Sequence, residues 1–331
     1  MFRRLVVVIC VFAIVIGVGW LAMRRADISY AGLERVYTNK DSRFADLEGG
    51  ETVHFRDMGP RDAPTLVMVH GFTSSMQAWD EIAPIMKNDY RVITLDLPAH
   101  GLSRCGNDDA MSIPSFVNTI DALTEALEVE TFTLVGQGLG GNIAWNFGLS
   151  HPDRLDAMVL IDSTGWPKTK EEREKVPVII RLIRNSLARP VLRGLDLSPL
   201  FRTGLEMSFT DQAMVTDDMI ERYATLSRAP CHREALLRMM SQVSERNMAD
   251  PVSLSAVNVP ALIMHGADDR MVPVAHAYKF AEAMPNTQLK IYEGVGHLPQ
   301  QEAPERILAD ITSFLEFALM QSESILEVEP N

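Results

Sequence analysis

Short apolar runs recur along most of this chain, and stretches with helical periodicity separate them. Apolar runs of this length, bounded by turn residues, are typical of buried strands. They cover residues 65–69, 91–95, 131–135, 157–161, 261–264 and 289–292, after an alternating strand at 51–56. Residues 113–127 and 303–320 have the pattern of amphipathic helices. Buried strands that alternate with helices predict an α/β fold, with a mostly parallel sheet covered by helices on both faces.

The N-terminal apolar run does not fit this alternation. Residues 5–23 carry no charge, and at about 19 residues the run is long enough for a helix to cross the hydrocarbon layer. It ends at a pair of arginines without a small-residue cleavage site, which favours an uncleaved signal-anchor helix over residues 1–25, with Trp20 near one interface. A cleaved signal peptide is the alternative. Two arginines stand on each side of the run, so the flanking charges do not determine the orientation of the helix in the membrane. A short N-terminus, however, usually stays cytoplasmic. We therefore predict a single-pass anchor in the lipid bilayer and a domain on the extracytoplasmic (periplasmic) side.

A second departure lies between the strands at 157–161 and 261–264. Roughly a hundred residues separate them, far more than an ordinary connection needs. This segment is helix-like and rich in arginine and methionine, and it predicts an inserted helical cap over residues 165–255. Inside it, residues 178–193 form a basic amphipathic stretch, typical either of a helix in the headgroup layer or of a cap helix with solvated arginines. The remaining boundaries are a linker at 26–50, a core at 51–164 and 256–320, and an acidic tail at 321–331.

Composition narrows the range of partners. The formal net charge of −13 argues against nucleic-acid binding, because the chain has no excess of cationic side chains to neutralise phosphates. The three cysteines have no metal-ligand spacing, so we expect no metal site and no cofactor. Cys105 and Cys231 are either free or bridged.

The most informative stretch is residues 131–142, where an apolar run meets a glycine cluster and a helix-compatible segment follows. Gly136 and Gly140 stand on either side of Gly138. The spacing does not match the dinucleotide fingerprint G-x-G-x-x-G. The pattern instead predicts a strand, a sharp turn and a helix.

Four further motifs each follow a predicted strand. They are His70-Gly71-Phe72-Thr73, Asp96-Leu97-Pro98-Ala99-His100-Gly101, Gly266-Ala267-Asp268-Asp269 and Gly294-Val295-Gly296-His297. Together with the glycine turn and in this order, they resemble the α/β-hydrolase superfamily over residues about 50–320. The anchored N-terminus and the cap resemble membrane-associated lipases and esterases, and also the carbon–carbon bond hydrolases of aromatic degradation.

The resemblance implies a role for each matching position. His297 corresponds to the general base and Asp269, rather than the aspartate before it, to the acid that orients the base. The backbone amides of Phe72 and Leu139 correspond to the oxyanion hole. The nucleophile corresponds to Gly138, where the family has serine. Without that hydroxyl, no acyl-enzyme can form at this position.

Loop residues near the predicted site offer substitute nucleophiles, namely Ser74, Ser75, Ser103 and Cys105, but such side chains usually satisfy loop hydrogen bonds. Three functions stay open. The first is a membrane-anchored protein of lipase/esterase-like lineage that acts on a small apolar ester-like substrate, with covalent serine catalysis lost or impaired. The second is a non-catalytic binder or sensor of a hydrophobic ligand. The third is a reaction that uses the His297–Asp269 pair alone as a base.

Overall fold

A computed structural model describes residues 17–106, 111–167, 169–170, 192–241 and 248–326. The strands are β1 Ser42–Asp46, β2 Thr52–Met58, β3 Thr65–Val69, β4 Arg91–Leu95, β5 Phe132–Gln137, β6 Leu155–Ile161, β7 Ala261–Gly266 and β8 Thr287–Tyr292. The α-helices are α1 Tyr30–Tyr37, α2 Ala83–Met86, α3 Ile113–Ala126, α4 Leu139–Ser150, α5 Ser198–Ser208, α6 Asp217–Leu226, α7 His232–Ser241, α8 Pro251–Leu254, α9 Ala275–Ala283, α10 Pro299–Glu302 and α11 Pro304–Leu326.

The eight strands form one sheet in the order β1-β2-β4-β3-β5-β6-β7-β8. The pairs from β4 through β8 are parallel, whereas β1 and β2 add two antiparallel strands at one edge. The predicted α/β fold with a mostly parallel sheet is therefore confirmed. Because β3 and β5 lie side by side at its centre, the loops that follow them meet at the same sheet edge.

Apolar side chains cover both faces of the sheet, as parallel strands require. On one face the buried cluster includes Phe116 of α3, Phe147 of α4 and Phe280 of α9. On the other face it includes Trp79 and Phe314, from the segment before α2 and from α11. The helices thus divide between the two faces and hold the strand ends in fixed positions.

Two segments differ from the sequence-based prediction. Residues 26–50 were expected to be a linker, but they contain α1 and the edge strand β1, which pairs with β2. The predicted acidic tail starts at residue 321, whereas α11 continues to Leu326. In both cases local polar composition suggested irregular structure, and backbone pairing or helix continuation gives regular structure instead.

The predicted signal-anchor falls mostly outside the described residues. Residues 17–23 are helical, and residues 1–16 are not described. In the part of the chain that the structure describes, no helix has both the length and the apolar character needed to cross a membrane. The anchor stays a prediction.

The described helices of residues 192–241 pack around an apolar cluster of their own. Its buried members include Phe201 and Leu205 of α5, Tyr223 of α6 and Leu236 of α7, and Phe72 packs against them. This cluster therefore lies against the loop after β3. The exact limits of the predicted cap, and the basic stretch at 178–193, rest largely on residues that are not described.

Residues 23–30, here called the tether segment, join the N-terminal helix to α1 and pair with these cap helices. The N–H of Arg25 donates to the carbonyl oxygen of Gly194 at 2.9 Å, and the N–H of Asp196 donates to that of Met23 at 2.9 Å. Farther along, the N–H of Ile28 donates to the carbonyl oxygen of Arg228 at 2.8 Å. The tether segment is thus bound to the cap rather than to the sheet.

A disulfide provides a second connection to the cap. Cys105, in the loop after β4, is bonded to Cys231, in the turn between α6 and α7, with a Cα–Cα distance of 6.5 Å. The bridge joins two residues separated by 126 positions in the chain. It covalently links the core loop to the cap.

Candidate active site

The turn between β5 and α4 is the centre of the candidate site. Gly138 has φ +56° and ψ −108°, a backbone conformation that a residue with a side chain rarely adopts. A Cβ atom placed on Gly138 would lie 3.4 Å from Nε2 of His297 and 3.7 Å from Cα of Gly71. Both are ordinary contact distances. A side chain at position 138 would therefore face His297.

His297 is held by Asp269, as the resemblance implied. Nδ1 of His297 lies 2.7 Å from Oδ2 of Asp269, whose side chain is fully buried. The other oxygen of Asp269 accepts hydrogen bonds from the N–H groups of Met271 and Val272. The neighbouring Asp268 instead accepts a hydrogen bond from a glycine N–H in the loop before His297. The structure thus brings Asp269, and not Asp268, to the histidine.

A second buried carboxyl group lies beside Asp269. Asp162 follows β6 and accepts a hydrogen bond from the N–H of Gly266 at 3.0 Å. Burial, and then the negative charge of Asp269, raise the pKa of Asp162 well above its usual range. Burial also acts to raise the pKa of Asp269, but the charge of His297 and the hydrogen bonds of His265 and His297 outweigh it and hold the pKa below its usual range. Asp269 is therefore the ionised member of the pair.

The Gln137 side chain contacts the histidine from the other side. Its amide nitrogen donates to the carbonyl oxygen of His297 at 2.9 Å and lies 3.2 Å from Nε2 of His297. Because a carbonyl oxygen only accepts, the first bond identifies this amide atom as the donor. Nε2 of His297 is then the unprotonated nitrogen, and Nδ1 carries the proton that is donated to Asp269. The Gln137 amide thus donates to the nitrogen that would receive a proton from a serine at position 138.

The two predicted oxyanion donors belong to two neighbouring segments, the loop after β3 and the start of α4. Phe72 belongs to the loop after β3, which includes the Gly71 Cα near the Cβ direction of Gly138. Leu139 is the first residue of α4, where the backbone N–H has no acceptor within the helix. Leu139 directly follows Gly138, Phe72 directly follows Gly71, and the catalytic roles of both amides stay predictions.

The four substitute nucleophiles are engaged elsewhere. The Ser103 hydroxyl donates to the carbonyl oxygen of Asp96 at 2.6 Å, and the Ser75 hydroxyl donates to a side-chain amide oxygen. The Ser74 hydroxyl lies 3.1 Å from the hydroxyl of Tyr223. Cys105 is in the disulfide. None of these contacts turns a nucleophile toward His297.

His100 and the cap form a small cavity beside the site. It has a volume of about 30 Å³, and its lining includes Ser74, His100, Phe201 and Tyr223. That volume has room for about one water molecule. Burial, and then the neighbouring histidine charge, lower the pKa of His100 to about 3, so this side chain is neutral.

One group of side chains in the described residues has the composition of a metal site. Ligand atoms of Asp162, Asp269 and His297 lie within 4.8 Å of one another. The hydrogen bond between His297 and Asp269 and the protonation of Asp162 account for this closeness without an ion. The donor set therefore gives no independent reason to place a metal here.

Comparison with known proteins adds the family. A sequence profile of the alpha/beta hydrolase fold matches residues 64–304, which include every candidate site residue described above. The chain belongs to the α/β-hydrolase superfamily. The matched range contains the glycine turn with Gly138, and the assignment of Gly138 to the family's nucleophile position stays a prediction.

Relatives with this fold differ in their recorded activities. The chain is 27% identical over 264 residues to the uncharacterized hydrolase YugF of Bacillus subtilis, covering 79% of this chain and 92% of that protein. It is 27% identical over 258 residues to a 2-hydroxy-6-oxononadienedioate/2-hydroxy-6-oxononatrienedioate hydrolase of Comamonas testosteroni, covering 76% and 86%. The crystal structure of a membrane phospholipase A, a bacterial virulence factor, superposes with a TM-score of 0.71 at 20% identity, covering 96% of this chain and 99% of that one. That last similarity concerns the fold.

Two residues of the site were not predicted from the sequence. Asp162 could have been noticed, because an acidic residue directly after a buried strand lies at the edge where α/β folds place their sites. Gln137 lies inside the glycine turn itself. Its contact with His297 depends on the direction of its side chain, and residue spacing does not give that direction.

Proposed function

We propose that this protein is a membrane-anchored α/β-hydrolase of lipase/esterase-like lineage that holds a small apolar, ester-like ligand beside His297 and does not form an acyl-enzyme. The observation that carries the proposal is the Cβ direction at Gly138, which leads to Nε2 of His297 at 3.4 Å. The base, its acid and the neighbouring amides surround a position that lacks only a hydroxyl group. The apolar cap cluster around Phe201 supports an apolar ligand.

The ligand has to enter beneath the cap. The cavity of about 30 Å³ beside Ser74 is lined by loop and cap residues and by none of the candidate site residues, and in this proposal the cap helices move away from the loop after β3 to admit the ligand. Movement of this kind is common in enzymes that close over their substrates. Once a ligand is in place, its carbonyl oxygen can accept from the amides of Phe72 and Leu139, which would polarise the carbonyl without cleaving it.

The test restores the missing group. Full-length protein in detergent micelles is assayed with p-nitrophenyl acetate, butyrate and octanoate, comparing the native chain with Gly138→Ser. We expect hydrolysis to rise at least about a hundredfold, a fraction of the roughly 10⁶-fold cost of removing a serine nucleophile in a comparable enzyme. A fluorophosphonate probe should label Gly138→Ser and leave the native chain unlabelled, because only the variant has a nucleophile beside His297.

Two controls separate the hydroxyl from other effects of the substitution. Gly138→Ala introduces the same backbone strain without a hydroxyl and should stay inactive. The double variant Gly138→Ser/His297→Ala retains the hydroxyl without its base and should lose the gain. If Gly138→Ser folds, hydrolyses none of the esters and takes up no probe, the ester-site proposal is wrong.

A base-catalysed reaction by His297 and Asp269 alone is the second candidate. The 2.7 Å bond between them favours it, because it leaves Nε2 of His297 unprotonated and able to accept a proton. A ligand would first have to displace the amide of Gln137 from this nitrogen. Any turnover by the native chain that survives His297→Ala would rule this candidate out.

The location of the protein is part of the proposal. We infer a single-pass anchor with the domain on the extracytoplasmic side. The uncharged run at residues 5–23 supports the anchor, and the Cys105–Cys231 disulfide supports an oxidising compartment. A C-terminal alkaline phosphatase fusion, which is active only outside the cytoplasm, should be active in bacterial cells. An inactive fusion that is expressed at a normal level would indicate the opposite orientation, with the domain on the cytoplasmic side.

A further inference from the structure

A second and larger cavity lies between the tether segment and the cap helices α5, α6 and α7. Its volume is about 360 Å³, within the range of small-molecule sites. Its described lining residues are all outside the candidate active site. Four arginines line it, namely Arg25, Arg202, Arg228 and Arg233, together with the acids Asp196, Asp217 and Glu221. We call it the arginine cavity.

The buried member of this set is Arg233, which is only 6% exposed. Its terminal nitrogens donate to the carbonyl oxygens of Leu195 at 3.2 Å and Arg25 at 2.9 Å, and one of them pairs with Asp27. Its Nε–H is buried and has no acceptor among the described residues. A buried N–H without an acceptor is costly, and because this atom has almost no accessible surface, a ligand oxygen could bond it only after a shift of the Arg233 side chain.

Arg228 contributes a second donor group. It is half-buried, and its Nε donates to the carbonyl oxygen of Ala26 at 2.9 Å. That bond fixes the plane of the guanidinium group, and Arg228 is among the residues that line the cavity. In the described part of the chain, no acidic side chain forms an ion pair with Arg228. Arg228 and Arg233 thus supply two oriented guanidinium groups.

The remaining arginines lie at the rim and are balanced by acids. Arg25 pairs with Asp196 at 3.2 Å, and Arg202 pairs with Asp217 at 2.6 Å. Both arginine side chains are close to half exposed. Arg233 is paired with Asp27, so Arg228 is the arginine of the described lining that has no ion-paired acid.

We propose that the arginine cavity binds a phosphate group. Guanidinium groups match the oxygens of a phosphate with paired N–H donors, and such bonds are roughly twice as strong as neutral ones. The phosphate can belong to a phospholipid headgroup or to a soluble phosphate compound. The position of the cavity favours the headgroup, because the tether segment directly follows the helical residues 17–23 of the predicted anchor.

The test uses full-length protein in dodecyl maltoside micelles. Native mass spectrometry measures the binding of added phosphatidylglycerol and phosphatidylcholine, and thermal unfolding measures stabilisation by inorganic phosphate against chloride at equal ionic strength. The variants are Arg228→Gln, which removes one interior guanidinium, and Arg233→Lys, which retains the charge and removes the Nε–H. Arg35→Gln, in α1 and exposed, removes one positive charge outside the cavity as the matched control.

We expect phosphatidylglycerol to bind about tenfold more weakly to Arg228→Gln, from the loss of charge-assisted hydrogen bonds, and unchanged to Arg35→Gln. Arg233→Lys should also bind more weakly. If that variant does not fold, Arg228→Gln decides the result alone. Weakening of lipid binding without an effect of inorganic phosphate identifies a lipid headgroup, and the reverse identifies a soluble phosphate.

Binding of neither probe, or equal weakening by Arg35→Gln, would overturn the proposal. None of these measurements depends on turnover. A negative result therefore leaves the ester-site proposal intact, and an inactive Gly138→Ser leaves this one intact.

Discussion

The disulfide between the core loop and the cap gives a quantitative prediction. A cross-link stabilises a protein chiefly by restricting the unfolded chain, and the effect grows with the logarithm of the loop length. For the 126 positions between Cys105 and Cys231, this relation gives about 5 kcal/mol at 25 °C. With an unfolding entropy of about 2.1 cal/mol/K per residue over 331 residues, the expected loss in melting temperature is about 7 °C.

The assay is differential scanning calorimetry of full-length protein in detergent. The double variant Cys105→Ser/Cys231→Ser should melt about 7 °C below the native protein, by the same entropy relation. A reducing agent should lower the native midpoint to that of the double variant and leave the double variant unchanged. Cys10→Ser, which removes the third cysteine, is the matched control and should behave like the native protein.

Two results would refute the reasoning. If the native midpoint does not respond to reductant and equals that of the double variant, the bridge does not constrain the unfolded chain. If each single serine variant differs strongly from the double variant, the cysteines contribute through packing rather than through their bond. The expected pattern is that Cys105→Ser, Cys231→Ser and the double variant share one midpoint.

Two further predictions concern single positions, both measured by unfolding of purified protein. Gly136→Ala should destabilise the protein more than Gly138→Ala does, because the new Cβ at position 136 would collide with the backbone of Gly140. The cost at Gly138 is limited to about 1–3 kcal/mol of backbone strain. Equal melting temperatures of the two variants would contradict this prediction. Asp96→Asn should cost about 2–5 kcal/mol at pH 7, because the buried carboxylate bonds His54 and two backbone N–H groups. Burial acts to raise the pKa of Asp96, but the hydrogen bond and charge of His54 outweigh it and lower the pKa. The contribution of Asp96 to folding stability is therefore present above about pH 4, near the pKa of an unfolded aspartate, and is lost as the pH falls. The gap in urea stability between the native chain and Asp96→Asn should therefore narrow toward about pH 3, and a gap that widens would be inconsistent with a lowered pKa.

The central strands could be predicted from the sequence because the fold buries them completely. β3 and β4 have the predicted bounds, and every residue in them is buried. β1 could not be found in the same way, because all of its residues are exposed or only partly buried and no apolar run marks it. It exists because its backbone pairs with β2, and backbone pairing leaves little trace in side-chain pattern.

The residues of the candidate site also differ in whether the sequence could predict them. His297 and Asp269 could be predicted because each lies in a loop that follows a strand, at the sheet edge where these loops converge. The two strands, β7 and β8, are parallel neighbours, so their loops lie close together. The state of Cys105 and Cys231 could not, because a bridge requires a short Cα separation that only the fold provides. The closeness of Asp162 to Asp269 also requires the neighbouring alignment of β6 and β7.

The hydrogen bonds of the tether segment have a mechanical consequence. A cap that opens as a rigid body has to carry residues 23–30 with it, because Arg25, Ile28 and their partners are bonded to the cap and not to the sheet. The cap is also joined to the core loop by the disulfide between Cys105 and Cys231, so the tether segment and the bridge are two separate connections to the same helices. A pull on the N-terminus would reach the cap before it reached the sheet. If the cap moves to admit a ligand, as proposed above, the moving part is the part to which the N-terminal helix is attached.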